Sequence, residues 1–143
     1  MNKLHIYTDG GARNNPGPAA LGIVILDENK KIIKTYKKFL GKKTNNQAEY
    51  NAVITALRIS KNIKPSPKEI SFFLDSELVC RQINRQYKIK NPELKILNKK
   101  IKEIEAKLND KHISLTFHNV PRENIHLQEA DALVNEALDE HKN

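Results

Sequence analysis

Four acidic residues stand where a sheet and its helices would bring side chains together. Asp9 and Asp75 each follow a short apolar run of the kind that forms a β-strand. Glu49 and Asp131 lie early in two predicted helices, beside the apolar stripe. Clustered carboxylates repel one another by about 4 kcal/mol per pair at ~4 Å and an intermediate dielectric. A divalent cation would relieve that repulsion, and ligation by carboxylates alone favours Mg²⁺ or Mn²⁺.

Asp9 and Glu49 also have ordinary structural explanations. An Asp-Gly pair such as the one at Asp9 is common in turns, so this residue alone does not distinguish a turn from a ligand. Glu49 could pair with a helix dipole, although its place beside the apolar face favours a ligand role. Asp131 lies between Leu127 and Val134 on the apolar stripe of its helix. This spacing predicts that its side chain is buried, which is costly unless the acid is paired or binds a metal.

The remaining pattern predicts an α/β domain that positions these acids. Three strands over 3–9, 20–26 and 31–40 form an antiparallel meander that ends at Gly41. A capping box from Thr44 to Gln47 begins a helix that runs to about Lys61. The elements that follow are a strand over 70–74, helices over 76–85 and 91–108, a strand over 113–119 and a helix after 124. The length of 143 residues predicts one domain, 1–143.

Composition narrows the class of partner and compartment. The net charge of +8 indicates a polyanionic partner. The lone cysteine, Cys80, lies in an apolar context and is predicted to be a small core residue. No apolar run is long enough to span a membrane, and the N-terminus shows no signal-peptide pattern. These features predict a cytoplasmic protein without membrane contact.

Four segments carry a resemblance to the type 1 ribonuclease H family. They are YTDGGARNNPGP at 7–18, TNNQAEY at 44–50, LDS at 74–76 and EADALVN at 129–135. They occur in the family's order and approximate spacing along nearly the whole chain. The resemblance implies a five-strand mixed sheet of order 3-2-1-4-5, with the first three strands antiparallel and helices on both faces. It also places the family's metal site on Asp9, Glu49, Asp75 and Asp131.

The activity implied by this resemblance is endonucleolytic hydrolysis of the RNA strand of an RNA–DNA hybrid. Two Mg²⁺ ions, with Mn²⁺ as a possible substitute, would act in the reaction, which leaves 3′-hydroxyl and 5′-phosphate ends. Asp9 would bridge the ions, and Glu49 would lie near the attacking water and the RNA 2′-hydroxyl. The residues expected to contact the hybrid are Gly11, Ala12, Arg13, Asn14, Asn15, Asn45 and Gln47. Asn15 and Asn45 could also serve only as turn and helix-start residues.

The chain departs from the family pattern in two places. Many members carry a basic protrusion with tryptophans, whereas this chain has no Trp and passes quickly through 81–91 into the next helix. Many members also have a glycine- and histidine-rich loop before the last helix. Here that loop, 119–126, has no glycine and contains a Val-Pro-Arg-Glu segment. His118, Arg122 and His126 are candidates for the helper role in proton transfer or product release, although both histidines could be ordinary surface residues.

Other functions stay open at this stage. Double-stranded RNA is an alternative substrate because both duplexes are A-like. A non-catalytic nucleic-acid-binding module with the same fold is an alternative from another class, although all four acids are present. A transposase or integrase core is disfavoured by the specific motifs. The expected state is a monomer.

Overall fold

Five strands and four helices follow one another along residues 2–142, the part of the chain that the computed structural model describes. Their bounds are β1 Lys3–Ala12, β2 Gly17–Leu26, β3 Ile32–Lys43, α1 Asn45–Ser60, β4 Glu69–Leu74, α2 Glu77–Ile83, α3 Pro92–Asp110, β5 Ser114–Asn119 and α4 Ile125–Glu140. The predicted elements are all present. Among the described residues, no helix is both long and apolar enough to cross a membrane.

The strands form one mixed sheet of order β3-β2-β1-β4-β5. β1, β2 and β3 pair antiparallel, whereas β4 runs parallel to both β1 and β5. The predicted fold class and strand order are therefore confirmed. The parallel pairing of β1 and β4 extends only to Tyr7 and Phe73, so Asp9 and Asp75 lie just beyond it. Both acids thus stand at the edge where ligands bind in open α/β sheets.

Two glycines on neighbouring strands let helices approach opposite faces of the sheet. A Cβ on Gly10 would lie 2.3 Å from the Ala48 backbone of α1. A Cβ on Gly22 would lie 2.2 Å from the carbonyl oxygen of Ala130 on α4. Because Gly22 pairs with Asp9 rather than with Gly10, the two glycines face opposite sides of the sheet. α1 and α4 therefore enclose β1 and β2 between them, which confirms helices on both faces.

The largest apolar core lies under α1 and α3. It includes fully buried Ile6, Tyr50 and Phe72. Cys80 belongs to the same cluster, and burial raises the pKa of its thiol. The prediction of a core cysteine is thus confirmed. This core fixes α1 against β1, and so fixes the element that carries Glu49.

Two strands run further than the sequence pattern predicts. β1 continues beyond Asp9 to Ala12 because these residues pair with β2. The predicted end of the meander at Gly41 was wrong, since β3 passes through it to Lys43. Gly41 has a positive φ of 76°, beside an irregularity in the β2–β3 register, which glycine accommodates without a steric penalty.

Candidate metal centre

Three carboxylates from three different elements converge at the end of β1. Asp9 comes from β1, Glu49 from the first turns of α1, and Asp75 from the residue after β4. Their ligand oxygens lie within 4.8 Å of one another. Asp9 and Glu49 are 7% and 6% exposed, respectively, whereas Asp75 is half-buried. The sequence prediction that these three acids share one site agrees with this geometry.

Local structure around the start of α1 places Glu49 over the sheet. The Thr44 hydroxyl accepts from the Gln47 N–H at 3.1 Å, and the Gln47 side chain accepts from the Thr44 N–H at 2.9 Å, so the predicted capping box is present. One Glu49 oxygen, Oε1, accepts from the Gly10 N–H at 3.3 Å. The other, Oε2, is buried and has no hydrogen-bond partner among the described residues. A buried acceptor left without a donor is costly unless something else occupies its lone pairs.

Burial and mutual repulsion raise the proton affinity of all three acids. Burial is the largest cause of the rise in the Asp9 pKa to about 7, and the charges of Asp75 and Asp131 add to it. Burial and the neighbouring Asp9 raise the pKa of Glu49 well above its ordinary value. Burial also raises the pKa of Asp75, whereas Arg122 lowers it. The site is thus poorly suited to hold its own negative charge without a cation.

The donor set fits a hard divalent cation. It supplies only carboxylate oxygens, which suit Mg²⁺ and Mn²⁺ better than soft metals. A cation would also supply the partner that Glu49 Oε2 lacks. The residues present therefore fit the metal site that the sequence predicts.

Asp131 lies beside this cluster rather than inside it. The sequence predicted a buried side chain, and this was wrong, since Asp131 is exposed. α4 packs on the sheet through Leu127, Ala130 and Val134, and Asp131 lies at the edge of that stripe, where the sheet does not cover it. Its carboxyl group contributes to the raised pKa of Asp9, and it lines a cavity of about 210 Å³ together with Asp75. Asp131 can therefore reach a ligand of the cluster from the solvent side.

The loop between β1 and β2 is tied to the start of α1. The side-chain oxygen of Asn45 accepts from the Ala12 N–H at 2.8 Å. In return, the side-chain oxygen of Asn15 accepts from the Asn45 N–H at 2.8 Å. Asn14 adopts a positive φ of 67°, a conformation that Asn tolerates better than most residues. Asn15 and Asn45 thus have structural roles, and their hydrogen bonds fix the loop beside the acids.

Two of the other predicted contact residues, Arg13 and Gln47, pair with other side chains on the protein surface. The Arg13 guanidinium lies 2.8 Å from Asp139 and donates to Asn135 at 3.3 Å, both on α4. The Gln47 amide donates to Glu93 on α3. Neither side chain is free in this conformation, so a contact of either with a hybrid would require the side chain to leave its present partner.

Among the candidate helper residues, the structure brings Arg122 to the acids. Its Nε lies 3.9 Å from Asp75 Oδ2, and its side chain is 86% exposed. His118 instead contacts the Thr116 hydroxyl at 2.9 Å and stacks on Phe73.

His126, the third candidate, also has partners of its own. Its Nδ1 lies 2.6 Å from Glu129 Oε1, and its ring packs against Tyr7. Both histidines are thus held by other groups.

Asn135 also lies beside the site, although it was not among the residues predicted from the sequence. Its side-chain amide lies between Arg13 and Asp131, and it donates to the Asp131 backbone carbonyl at 3.1 Å. Its spacing of four residues from Asp131 on a predicted helix was the available signal. The contact with Arg13, far away in the chain, left no such signal.

Comparison with known families and proteins gives matches over nearly the whole chain. The family model described as RNase H matches residues 1–139. A ribonuclease HI of Halobacterium salinarum is 36% identical over 138 residues, which cover 96% of this chain and 65% of that protein. A ribonuclease H of Ruthia magnifica is 37% identical over 150 residues and 97% of each chain is covered.

Two solved structures share the fold of this chain along nearly its whole length. LC11-RNase H1, isolated from compost by a metagenomic approach, superposes with a TM-score of 0.88 at 43% identity, and 98% of each chain is covered. LC11-RNase H1 in complex with an RNA/DNA hybrid gives a TM-score of 0.83 at 41% identity, with 96% of this chain and 97% of that chain covered.

The chain does not span the full length of every relative. It covers 65% of the Halobacterium protein and 36% of a bifunctional protein of Mycobacterium tuberculosis to which it is 32% identical. The family match nevertheless covers nearly all of the chain. Asp9, Glu49 and Asp75 of this chain converge at the candidate cation site between the sheet and α1. On this basis the chain belongs to the RNase H family, type 1.

Proposed function

We propose that this chain hydrolyses the RNA strand of RNA–DNA hybrids internally, leaving 3′-hydroxyl and 5′-phosphate ends. The observation that carries this proposal is the convergence of Asp9, Glu49 and Asp75 within 4.8 Å, with Glu49 Oε2 buried and unpaired among the described residues. Support for the substrate comes from LC11-RNase H1, 41% identical in its complex with an RNA/DNA hybrid.

The chain's own residues prepare the site for phosphate chemistry. Asp9, Glu49, Asp75 and Asp131 would hold two Mg²⁺ ions, for which Mn²⁺ could substitute. Bound there, the ions would neutralise charge at the scissile phosphate and make the attacking water more acidic. Asp9 would be the natural shared ligand because β1, which carries it, is the central strand of the sheet and its carboxylate lies within reach of both Glu49 and Asp75. Burial of Asp9 and Glu49 excludes water that would otherwise screen their charges.

Recognition of the hybrid would rest on shape and 2′-hydroxyls, because the cut requires no base reading. The backbone of Gly11 to Asn15 is held in place by the exchange of hydrogen bonds with Asn45. We propose that this loop contacts the RNA strand mainly through its backbone and the amides of Asn15 and Asn45. Arg13 and Gln47 would support the loop and α1, since their side chains pair with α4 and α3.

We further propose that this is a variant without the tryptophan-containing protrusion, and that residues 1–143 form its one catalytic domain. α2 ends at Ile83 and α3 begins at Pro92, so only a short link separates the two helices. Lysines on and near α3 would supply a reduced basic surface for the hybrid: Lys88, Lys90, Lys95, Lys99 and Lys100. Affinity for the hybrid would then be modest and strongly dependent on salt.

Arg122 is the best-placed candidate for the helper role. It lies 3.9 Å from Asp75, extends into solvent, and lines the same cavity as Asp75 and Asp131. A guanidinium cannot act as a base near neutral pH, so its role would be electrostatic. We propose that it draws the scissile phosphate toward the cluster and assists the departure of the product.

Cleavage of an end-labelled hybrid in Mg²⁺ or Mn²⁺ tests this function, with an RNA duplex and a DNA duplex of the same sequence in parallel. We expect internal cuts in the RNA of the hybrid, and no cuts after Glu49→Gln. Comparable cutting of the RNA duplex would support the broader substrate range. Binding of the hybrid without cleavage in either metal would favour the non-catalytic module and overturn the enzyme proposal.

A further inference from the structure

Asp131 is the least constrained of the four acids. Asp9 and Glu49 are buried, whereas Asp131 is exposed on α4, where a side chain has more rotamers available to it. An exposed carboxylate loses conformational entropy when it binds a cation, unless neighbouring groups already hold it in the binding orientation. Any group that does so therefore contributes to cation binding without touching the ion.

Asn135 is placed to hold Asp131. It lies one turn further along α4, and its side-chain nitrogen donates to the Asp131 backbone carbonyl at 3.1 Å. The same nitrogen lies 3.5 Å from Asp131 Oδ2, a long contact that its second hydrogen can make. The amide thus spans the backbone and the carboxylate of one acid and favours the rotamer that keeps Oδ2 beside it.

Arg13 determines which way the Asn135 amide faces. Its Nη2 donates to Asn135 Oδ1 at 3.3 Å and lies 2.8 Å from Asp139 Oδ1. A guanidinium has only donors, so the amide oxygen must face Arg13 and the amide nitrogen must face Asp131. A reversed amide would direct its oxygen at the Asp131 carboxylate and its nitrogen at the guanidinium. Asp139 completes the arrangement because it anchors Arg13 on the same helix.

We propose that Arg13 and Asn135 act as positioning residues that hold the exposed Asp131 ready for the cation next to Asp9. This inference rests on the proposed function, because it assigns Asp131 to the metal site. It also connects the β1–β2 loop, through Arg13, to the solvent side of the cluster. The loop would thus organise both acid-bearing helices: α1 through the exchange with Asn45, and α4 through Arg13.

Mn²⁺ titration of the metal-free full-length chain, followed by electron paramagnetic resonance, tests the proposal without substrate. Loss of an outer partner of a metal ligand typically lowers metal affinity by about 10- to 100-fold. For Asn135→Ala we expect about a 10-fold loss in affinity for the more weakly bound Mn²⁺ ion. This value is at the low end of that range because Asp131 is exposed. The thermal midpoint of the metal-free protein should not change.

Lys37→Met is the matched control. Lys37 pairs with Glu136 and Glu140 of α4, so its loss also removes exposed polar contacts from the same helix while leaving Asp131 and Asn135 unchanged. We expect its Mn²⁺ affinity to equal that of the wild type. An equal loss of affinity in Lys37→Met and Asn135→Ala would mean that general loosening of α4 is responsible, and would overturn the proposal.

A double-mutant cycle gives the second test. In an Asp131→Asn background, Asn135→Ala should cause no further loss of affinity, because the group it positions is already gone. Additive losses would overturn the positioning role. If the wild type binds Mn²⁺ and cuts the hybrid while Asn135→Ala behaves identically, the positioning role fails and the proposed function stands. A wild type that binds no Mn²⁺ would overturn the positioning role, whereas the proposed function fails only if the hybrid is cut in neither Mg²⁺ nor Mn²⁺.

Discussion

Replacement of Asp9 by Asn should stabilise the metal-free protein. In the wild type an ionised Asp9 is buried beside Glu49 and Asp75, and its pKa rises from 3.8 to about 7. Each tenfold change in proton affinity corresponds to about 1.4 kcal/mol, so the ionised form costs the folded state about 4 kcal/mol once the pH exceeds about 7. Asn has nearly the same shape and carries no charge, so we expect it to recover about 2 to 4 kcal/mol of that cost.

The sign of the pH dependence follows from the raised pKa. The folded wild type binds the Asp9 proton more tightly than the unfolded chain does. Its stability is therefore highest below about pH 4 and falls as the pH rises to about 7, above which the loss is complete. The advantage of Asp9→Asn should accordingly be near zero at about pH 4, grow up to about pH 7, and stay constant above it.

Urea unfolding followed by circular dichroism, in a chelator and across this pH range, measures the effect. Asp110→Asn is the matched control, because Asp110 is an exposed acid at the end of α3, remote in sequence from the cluster. It should change stability by less than about 0.5 kcal/mol at any pH. If Asp9→Asn were no more stable than the wild type at about pH 8, or its advantage did not depend on pH, the account of a buried, strained acid cluster would be refuted.

Three further predictions concern the cation, the sheet and the loop. Mg²⁺ affinity should rise as the pH increases through about 7, with protons released on binding, because the cation needs the deprotonated form of Asp9. Calorimetry in buffers of different ionisation enthalpy measures the number of protons released, and no release at about pH 6 would contradict this prediction. Gly10→Ala should lower the free energy of unfolding in urea by about 3 kcal/mol, because the new Cβ would meet the Ala48 backbone. Gly11→Ala, whose new Cβ has its nearest atom 3.8 Å away, should lower it by less than about 0.5 kcal/mol. Equal losses would count against the close approach of α1. Asn45→Ala removes the acceptor of the Ala12 N–H, so it should cost about 1 kcal/mol and raise KM for the hybrid; an unchanged KM in steady-state assays would exclude a role for the loop in binding.

The sequence was most informative where a local pattern decides the structure. Alternating and continuous apolar runs predicted the strands that deliver Asp9 and Asp75, and the capping box predicted the start of α1 next to Glu49. These signals depend on residues close in the chain. The strand order 3-2-1-4-5 came from the resemblance, because apolar patterns do not specify which strands are neighbours.

The errors arose where long-range contacts decide. Spacing placed Asp131 on the stripe of α4, but the width of the buried face depends on how far the sheet extends beneath the helix, which periodicity does not reveal. β3 passes Gly41 because pairing with β2 absorbs an irregularity there. The contact of Arg13 with Asn135 joins residues 122 positions apart, and neither local sequence predicts it.

Hybrid cleavage by the wild type and by Asp9→Asn, under single-turnover conditions in Mg²⁺, shows whether the carboxylate cluster cuts RNA. We expect the wild type to cut the RNA strand and leave 5′-phosphate ends. Asp9→Asn should remain folded and bind the hybrid but not cut it. An Asp9→Asn protein that cut the hybrid at the wild-type rate would contradict the claim that the carboxylate cluster around Asp9 performs the reaction.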